Sequence, residues 1–192
     1  MYLIVKTAFD YILSFILLVI LVPLFIIVSL FIKIDSKGPV FFTQKRLGKH
    51  GKKFNLLKFR TMYNEKRSAL KEILPGDKEV TIVGNQLRRY KIDEIPQLIN
   101  ILKGEMSIIG PRPCLPLLLD EFDDNAIFRL KVKPGLTGLA QINGNIHITW
   151  PERWKLDRYY VENLSLSLDL KILITTVAVV ILGEEKFIKN SK

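Results

Sequence analysis

The sequence predicts an α/β protein, mostly helical with a small sheet. It reads as a compact membrane-associated domain with an N-terminal re-entrant membrane helix broken at Pro23 and with interfacial amphipathic helices. Three observations carry this expectation. Residues 11–32 hold no formal charge. Residues 40–43 and 54–62 read as extended segments, the first preceded by a Ser-Lys-Gly-Pro turn. Ile95, Leu98, Ile99 and Leu102 fall at the i, i+3, i+4, i+7 spacing of one helix face. The expected boundaries are 1–35 for the membrane hairpin, 36–185 for a domain at the cytosolic face and 186–192 for a loose tail.

The uncharged stretch is 22 residues long. As a continuous helix it would measure about 33 Å, against a hydrocarbon core of roughly 30 Å, so it inserts. It is too long for the apolar region of a cleaved signal peptide, and no small-residue cleavage site precedes the basic block. Pro23 sits mid-run, where proline removes a backbone hydrogen bond. Lys6, Lys33 and Lys37 place positive charge at both ends, which favours both ends on the cytoplasmic side and a helix that dips in and returns.

Beyond it, residues 44–53 are polar, basic and glycine-containing. Lys58 and Arg60 are spaced i, i+2, which on a strand places both on one face, suited to a diphosphate or to lipid headgroups. Residues 63–74 read as a charged helix ended by Pro75, Gly76 and Asp77. Residues 115–129 are helical in pattern, with Asp120, Glu121, Asp123 and Asp124 as solvated charges. Residues 133–144 pack three glycines among polar side chains, which lets a backbone approach a ligand closely. Residues 150–163 mix aromatics with charge, as in a helix at a headgroup boundary or one packed on the domain. Residues 172–182 are an apolar run of eleven, too short to span, that lies on the membrane or closes the core.

Net charge is +10, and residues 33–67 carry most of it, with eleven Lys or Arg against Asp35 and Glu65. A basic block directly after an apolar segment suits anionic lipid on the cytoplasmic side. Nucleic acid is not expected as a partner, because no nucleic-acid motif accompanies the charge. Cys114 is the only cysteine, which excludes an intrachain disulfide and suits a reducing compartment. His50 and His147 are the only histidines, so a His/Cys metal cluster cannot be assembled. Any metal would be a hard cation, Mg²⁺ or Mn²⁺, on carboxylate, phosphate and water.

The chemistry concentrates in residues 87–113, LRRYKIDEIPQLINILKGEMSIIGPRP. A short helix is expected from about Glu94 to Lys103, with Asp93 as its cap, Pro96 in its first turn and Gly104 at its end. That N-terminus would stabilise carboxylates or receive phosphate. Arg88, Arg89 and Lys91 add charge of the same sign. In Gly110-Pro111-Arg112-Pro113 two prolines stiffen the backbone around an arginine, as when a guanidinium must be aimed at phosphate. The bland alternatives are that Asp93 is only a cap, Glu94 a solvated residue and Arg112 part of an ordinary turn.

IDEIPQLINILKGEMSIIGPRP, together with FFTQKRLG, LLKFRTM, KPGLTGLAQINGN and YYVENLSLSLDLK, resembles the bacterial sugar transferases, the monotopic phosphoglycosyl transferases of the PglC type. The likeness runs from about residue 9 to residue 182. It implies transfer of a sugar 1-phosphate from a UDP-sugar to polyprenyl (undecaprenyl) phosphate with release of UMP, a membrane step of glycoconjugate biosynthesis. It implies a bacterial inner membrane, a catalytic domain on the cytoplasmic face, and Mg²⁺ with Mn²⁺ as substitute. Asp93 would be nucleophile and metal ligand, Glu94 its acid/base or metal-orienting partner, and Lys58, Arg60, Arg88, Arg112 and Gln141 substrate-binding. The resemblance also implies a re-entrant hairpin with serine before the proline, where this chain has Val22, and often arginine after Asn-Gly, where it has Asn145. A carboxylate attacking the phosphate next to the sugar separates two mutually repelling anions in time. The rivals are a single displacement with Asp93 only binding metal, and a basic non-catalytic membrane scaffold. The sugar, the prenyl length and the oligomeric state, a homo-oligomer included, are not legible in the residues.

Overall fold

The computed structural model describes residues 2–63, 77–183 and Phe187. The expected charged helix after Tyr63 and, Phe187 apart, the expected tail lie outside the described residues. The elements in order are α1 (Tyr2–Ile20), α2 (Val22–Asp35), β1 (Phe41–Leu47), β2 (Lys53–Phe59), α3 (Ile82–Arg89), α4 (Gln97–Leu102), β3 (Ser107–Ile109), α5 (Asp124–Phe128), β4 (Gly135–Thr137), α6 (Leu139–Ile142), α7 (Trp150–Glu162) and α8 (Leu166–Leu182). The fold is mostly helical, as expected, but the described residues form two small sheets rather than one. β1 and β2 make an antiparallel hairpin in register from Phe41↔Phe59 to Leu47↔Lys53. β3 and β4 pair in parallel, Ser107↔Gly135 and Ile109↔Thr137.

The apolar N-terminal run is two helices. Leu21 interrupts them with φ −89° and ψ 2°, and Pro23 lies in the first turn of α2, where its missing N–H costs least. α1 is long and apolar enough to cross a membrane, and only 11% of its apolar window is buried by the rest of the chain. Both helices are tied to the domain by polar contacts. Asp10 of α1 accepts from Ser107 Oγ at 2.6 Å and from the Ile108 N–H at 3.2 Å. Lys6 Nζ lies 2.7 Å from Asp169 Oδ2 of α8, and the Tyr2 hydroxyl donates to the same carboxylate. At the far end, Asp35 of α2 accepts from the Val83 N–H at 3.0 Å.

The main core joins Phe54 and Leu56 of β2, Leu98 and Ile101 of α4, Ile108 and Ile109 of β3, Leu139 and Ile142 of α6, Tyr160 of α7 and Ile172 of α8. A second cluster packs Val28 and Ile32 of α2 on Phe59 and Leu87, with the Phe25 and Phe59 rings 5.0 Å apart. β1 runs on to Leu47, past the four residues expected: Lys45 faces solvent, while Gln44 and Arg46 point to the other, half-buried face, where Arg46 donates to Gln44 and Pro113. The single helix expected over 115–129 is instead a 3₁₀ turn, Pro116–Glu121, followed by α5. Asp123 starts α5 by accepting from the Asn125 and Ala126 N–H groups, so it is a cap and not merely a solvated charge.

α7 takes the packing alternative, with Trp154, Asp157 and Tyr160 buried. α8 closes the core, as one of the two alternatives allowed, and leaves one face exposed. Asp169, Ile172 and Val179 are buried and Thr176 Oγ1 meets Thr137 Oγ1 at 2.7 Å, while Leu166, Leu170, Ile174, Val177 and Ile181 form an exposed stripe.

Candidate active site

The site is built where α3, the following 3₁₀ turn and α4 meet β2. Thr81 caps α3 by accepting from the Gly84 N–H at 2.9 Å. A Cβ on Gly84 would lie 2.1 Å from the Thr61 carbonyl oxygen, so only glycine lets α3 sit this close to the end of β2. That closeness brings Arg88 Nε to 2.9 Å from Thr61 Oγ1. Lys91, at φ 55°, then turns the chain into the 3₁₀ segment Ile92–Glu94, and α4 follows.

Three expectations about this window change. Asp93 does not cap a helix beginning at Glu94: it lies inside the 3₁₀ turn, and the flanking Lys91 and Pro96 make no side-chain cap. An anion here therefore meets side chains and not the N-terminus of a long helix. Of the apolar face over Ile95, Leu98, Ile99 and Leu102, Leu98 lies in the core and Ile95 packs against it, but Leu102 is 36% exposed, so the face is buried only in part. Gln97, Leu98, Asn100 and Ile101 are buried because α4 also faces β2, where Asn100 accepts from the Leu57 N–H at 3.0 Å and donates to Asn55 O at 2.8 Å. The end of α4 is as expected: Gly104 has φ 79°, and the Glu105 N–H donates to Asn100 O.

Asp93 and Glu94 are each 7% exposed. Lys58 Nζ lies 2.7 Å from Glu94 Oε1 and 3.8 Å from Asp93 Oδ2. Arg112 places both prongs on Glu94, at 2.8 and 3.4 Å, and its side chain keeps 39% exposure, the most open of these cations. Burial pushes the Asp93 carboxyl above its usual range; Lys58 opposes the rise, the Glu94 charge adds to it, and Arg88 and Arg112 offset it only in part. Burial acts on Glu94 in the same sense, but Arg112 and Lys58 outweigh it and hold that carboxyl well below its usual range. Two adjacent acids thus differ in kind: Glu94 is a fixed anion organising two cations, and Asp93 is the more basic carboxylate.

Arg112 is held rigidly, as its flanking prolines suggest. Four consecutive carbonyls are engaged: Pro111 O by the Gly135 N–H at 2.9 Å, Arg112 O by Arg129 at 2.6 Å, Pro113 O by Arg46 at 3.0 Å and Cys114 O by the Leu47 N–H at 2.9 Å. Two glycines of residues 133–144 serve this packing. A Cβ on Gly135 would come within 2.1 Å of Gly110 N, and one on Gly138 within 2.1 Å of Gly110 O. What Gly135 and Gly138 admit is the backbone at Gly110, whereas Gly144 lies against Ile148.

Of the other residues singled out, Lys58 and Arg88 stand with the carboxylates and Arg60 does not. Its guanidinium is buried against the C-terminus of α2, donating to Ser36 O at 2.7 Å and to Lys37 O, because those last carbonyls lack helical partners. Gln141 donates to Leu136 O at 3.0 Å within its own segment, and its carbonyl oxygen is buried without a partner. Asn145 is buried at φ 45°. Arg46, Arg129 and Asp157, which sequence patterning does not single out, also gather behind Arg112. Arg46 was visible only as basic charge, and its pKa is lowered to about 10 by burial and by Arg112. Arg129 and Asp157 carry no local signal, since their pairing joins distant stretches.

Among the described residues, no group of three or more His, Cys, Asp or Glu is placed to hold a metal. Glu94 is engaged by cations, so Asp93 is the carboxylate that suits a hard cation, in the manner of Mg²⁺ held by one or two carboxylates and completed by phosphate and water.

The site is a buried carboxylate pair ringed by cations, on a domain that carries an exposed apolar helical pair. The family model for bacterial sugar transferases matches residues 1–183, and the chain belongs to that family. It is 48% identical over 161 residues to an uncharacterized sugar transferase, EpsL, of Bacillus subtilis, covering 84% of this chain and 78% of that protein. It is 38% identical to the exopolysaccharide production protein ExoY of Sinorhizobium fredii, over 95% of this chain and 88% of the relative. It is 43% identical to an undecaprenyl-phosphate glucose phosphotransferase of Komagataeibacter xylinus over 90% of this chain, but spans only 35% of that longer protein.

Proposed function

We propose that the chain transfers a sugar 1-phosphate from a UDP-sugar to polyprenyl phosphate, of the undecaprenyl type, and releases UMP. The family and the activities for which its relatives are named support this reaction class. The observation that carries the mechanism is the contrast between Asp93 and Glu94. Glu94 holds the Arg112 fork and the Lys58 ammonium in place. Asp93 is left as the basic carboxylate beside them.

In the first half-reaction an Asp93 oxygen attacks the phosphorus next to the sugar, and the bond to the bridging oxygen breaks, so that UMP leaves with the electron pair. Lys58, Arg88 and Arg112 neutralise the incoming diphosphate and the charge that develops on the leaving phosphate. In the second, a phosphate oxygen of the lipid attacks the same phosphorus and returns Asp93 as carboxylate. Mg²⁺ on Asp93 would supply further charge neutralisation when bound. The sequential route keeps the two anions from having to occupy the site together.

We read α1 and α2 as a re-entrant pair dipping into the cytoplasmic leaflet of the inner membrane, because both are tied to the one domain, α1 through Lys6 and Asp10 and α2 through Asp35. The exposed stripe of α8 would lie at the same surface. Asp93→Asn should abolish turnover and leave no phosphosugar adduct in an intact-mass spectrum of enzyme mixed with UDP-sugar alone. Persistent turnover would remove Asp93 from the nucleophile role. Parallel double-reciprocal lines support the two-step route, whereas intersecting lines would support single displacement.

A further inference from the structure

Arg129 lies in the link between α5 and β4 and Asp157 in the middle of α7, far from each other in sequence and both absent from the chemistry above. Their side chains are 5% and 2% exposed and meet at 3.1 Å. A buried ion pair contributes little net stability, because desolvation cancels most of the attraction. Its place in the fold therefore calls for another explanation. The same Arg129 Nη2 that meets Asp157 donates at 2.6 Å to the main-chain carbonyl of Arg112.

That carbonyl belongs to the residue whose fork grips Glu94. Pro111 fixes its own φ and Pro113 holds Arg112 in the extended region, but neither proline ties the Arg112–Pro113 peptide to the rest of the fold, which leaves it able to shift as a unit. Arg129 closes that remaining freedom. Arg46, donating to Pro113 O at 3.0 Å, holds the next peptide. Asp157 fixes Arg129 in turn, and α7 fixes Asp157.

We propose that Arg129, oriented by Asp157, is a positioning residue for the transfer reaction: it aims Arg112 at the diphosphate by holding the Arg112 carbonyl. The inference rests on the proposed function, since it presumes that Arg112 receives the donor substrate. It assigns to α7 a part in catalysis that its packing role alone does not give it.

The test uses the full-length protein in detergent or nanodiscs, with UMP release from a UDP-sugar as readout. The double variant Arg129→Met with Asp157→Leu replaces the buried ion pair by apolar groups of similar size, which preserves folding in such exchanges. Arg129→Lys is the second variant. Its single ammonium keeps a positive charge against Asp157 but cannot reproduce the planar fork that serves both partners.

The expected result is a fall in kcat/KM of tenfold or more for the double variant and threefold or more for Arg129→Lys, with melting temperatures near the parent's. In an Arg112→Lys background the same changes should cost less than threefold, because a flexible ammonium gains little from a fixed backbone. Full activity in either variant overturns the inference, and so does an equal loss in both backgrounds, which would mark a general packing role. Failure of the parent to release UMP from any UDP-sugar is a different result: it removes the proposed function itself.

Discussion

Lys58→Met isolates the cation that touches both carboxylates. The replacement keeps the length and apolar stem of the lysine and deletes its charge. Lys58 Nζ sits 2.7 Å from Glu94 and 3.8 Å from Asp93, with the lysine side chain 19% exposed and the carboxylates 9%. Removing one partner of a buried pair costs about 3–5 kcal/mol. The lower end applies here because Arg112 still holds Glu94. For a chain of this size each kcal/mol lowers the melting temperature by about 2–4 °C, so a fall of roughly 6–12 °C is expected at pH 7. The sign with pH follows from the two acids. Glu94 has a depressed pKa, so its favourable contribution is present above its unfolded value and is lost as pH falls through its folded one. Asp93 has a raised pKa, so its ionised form is a burden at neutral pH that protonation relieves. Lys58 helps only while these groups are charged, and the gap between parent and variant should therefore close on acidification. Thermal melts followed by the fluorescence of Trp150 and Trp154 measure it. Loss of a charge-assisted contact worth about 1.5–3 kcal/mol should also lower kcat/KM for the UDP-sugar roughly 10- to 150-fold. A variant melting within 2 °C of the parent, or a gap that does not change with pH, would refute the electrostatic account of the site.

Other outcomes follow from the same structure. Gly135→Ala drives a Cβ to 2.1 Å from Gly110 N and 2.4 Å from Thr137 O, so it should lower stability by about 3 kcal/mol and impair UMP release through the Arg112 segment. Burial raises the pKa of Asp157 to about 6 against the pull of Arg129 and then Arg153, above an unfolded value of about 3.9. Folding stability should therefore rise between pH 7 and 5 by an amount on the order of 1 kcal/mol that Asp157→Asn lacks, as read from urea melts across that range. Arg112→Lys should reduce kcat/KM at least tenfold, since one ammonium cannot place two prongs on a planar acceptor. Cys114 should react with maleimide only after unfolding, because it is buried and burial raises its thiol pKa.

The legible parts of the chain are those where the physics is local. Chain ends and turns announce themselves through Gly104 and the Pro111-Arg112-Pro113 clamp, because positive φ and fixed φ are properties of single residues. The apolar N-terminal run is legible by length alone. What escaped depends on distance in the chain. Arg60 reads as a phosphate gripper when only its spacing from Lys58 is known, yet it ends on the carbonyls of Ser36 and Lys37 just past α2, because chain leaving that helix 24 residues earlier competes for the same donors. Asp93 reads as a cap by the same local logic, yet the chain turns at Lys91 and spends no side chain on capping. Gly135 and Gly138 look like part of a ligand cradle until the Gly110 backbone, just after β3, is seen to lie against them. In each case a group with two chemically reasonable uses was assigned by its neighbours in sequence, and tertiary packing chose the other. The carboxylate pair is different. Lys58 and Arg112 approach Glu94 from residues 36 and 18 positions away, but their chemistry admits few partners inside a protein. Buried charges must find opposite charges, so an acidic pair drawn into the interior constrains who meets whom more tightly than apolar patterning does.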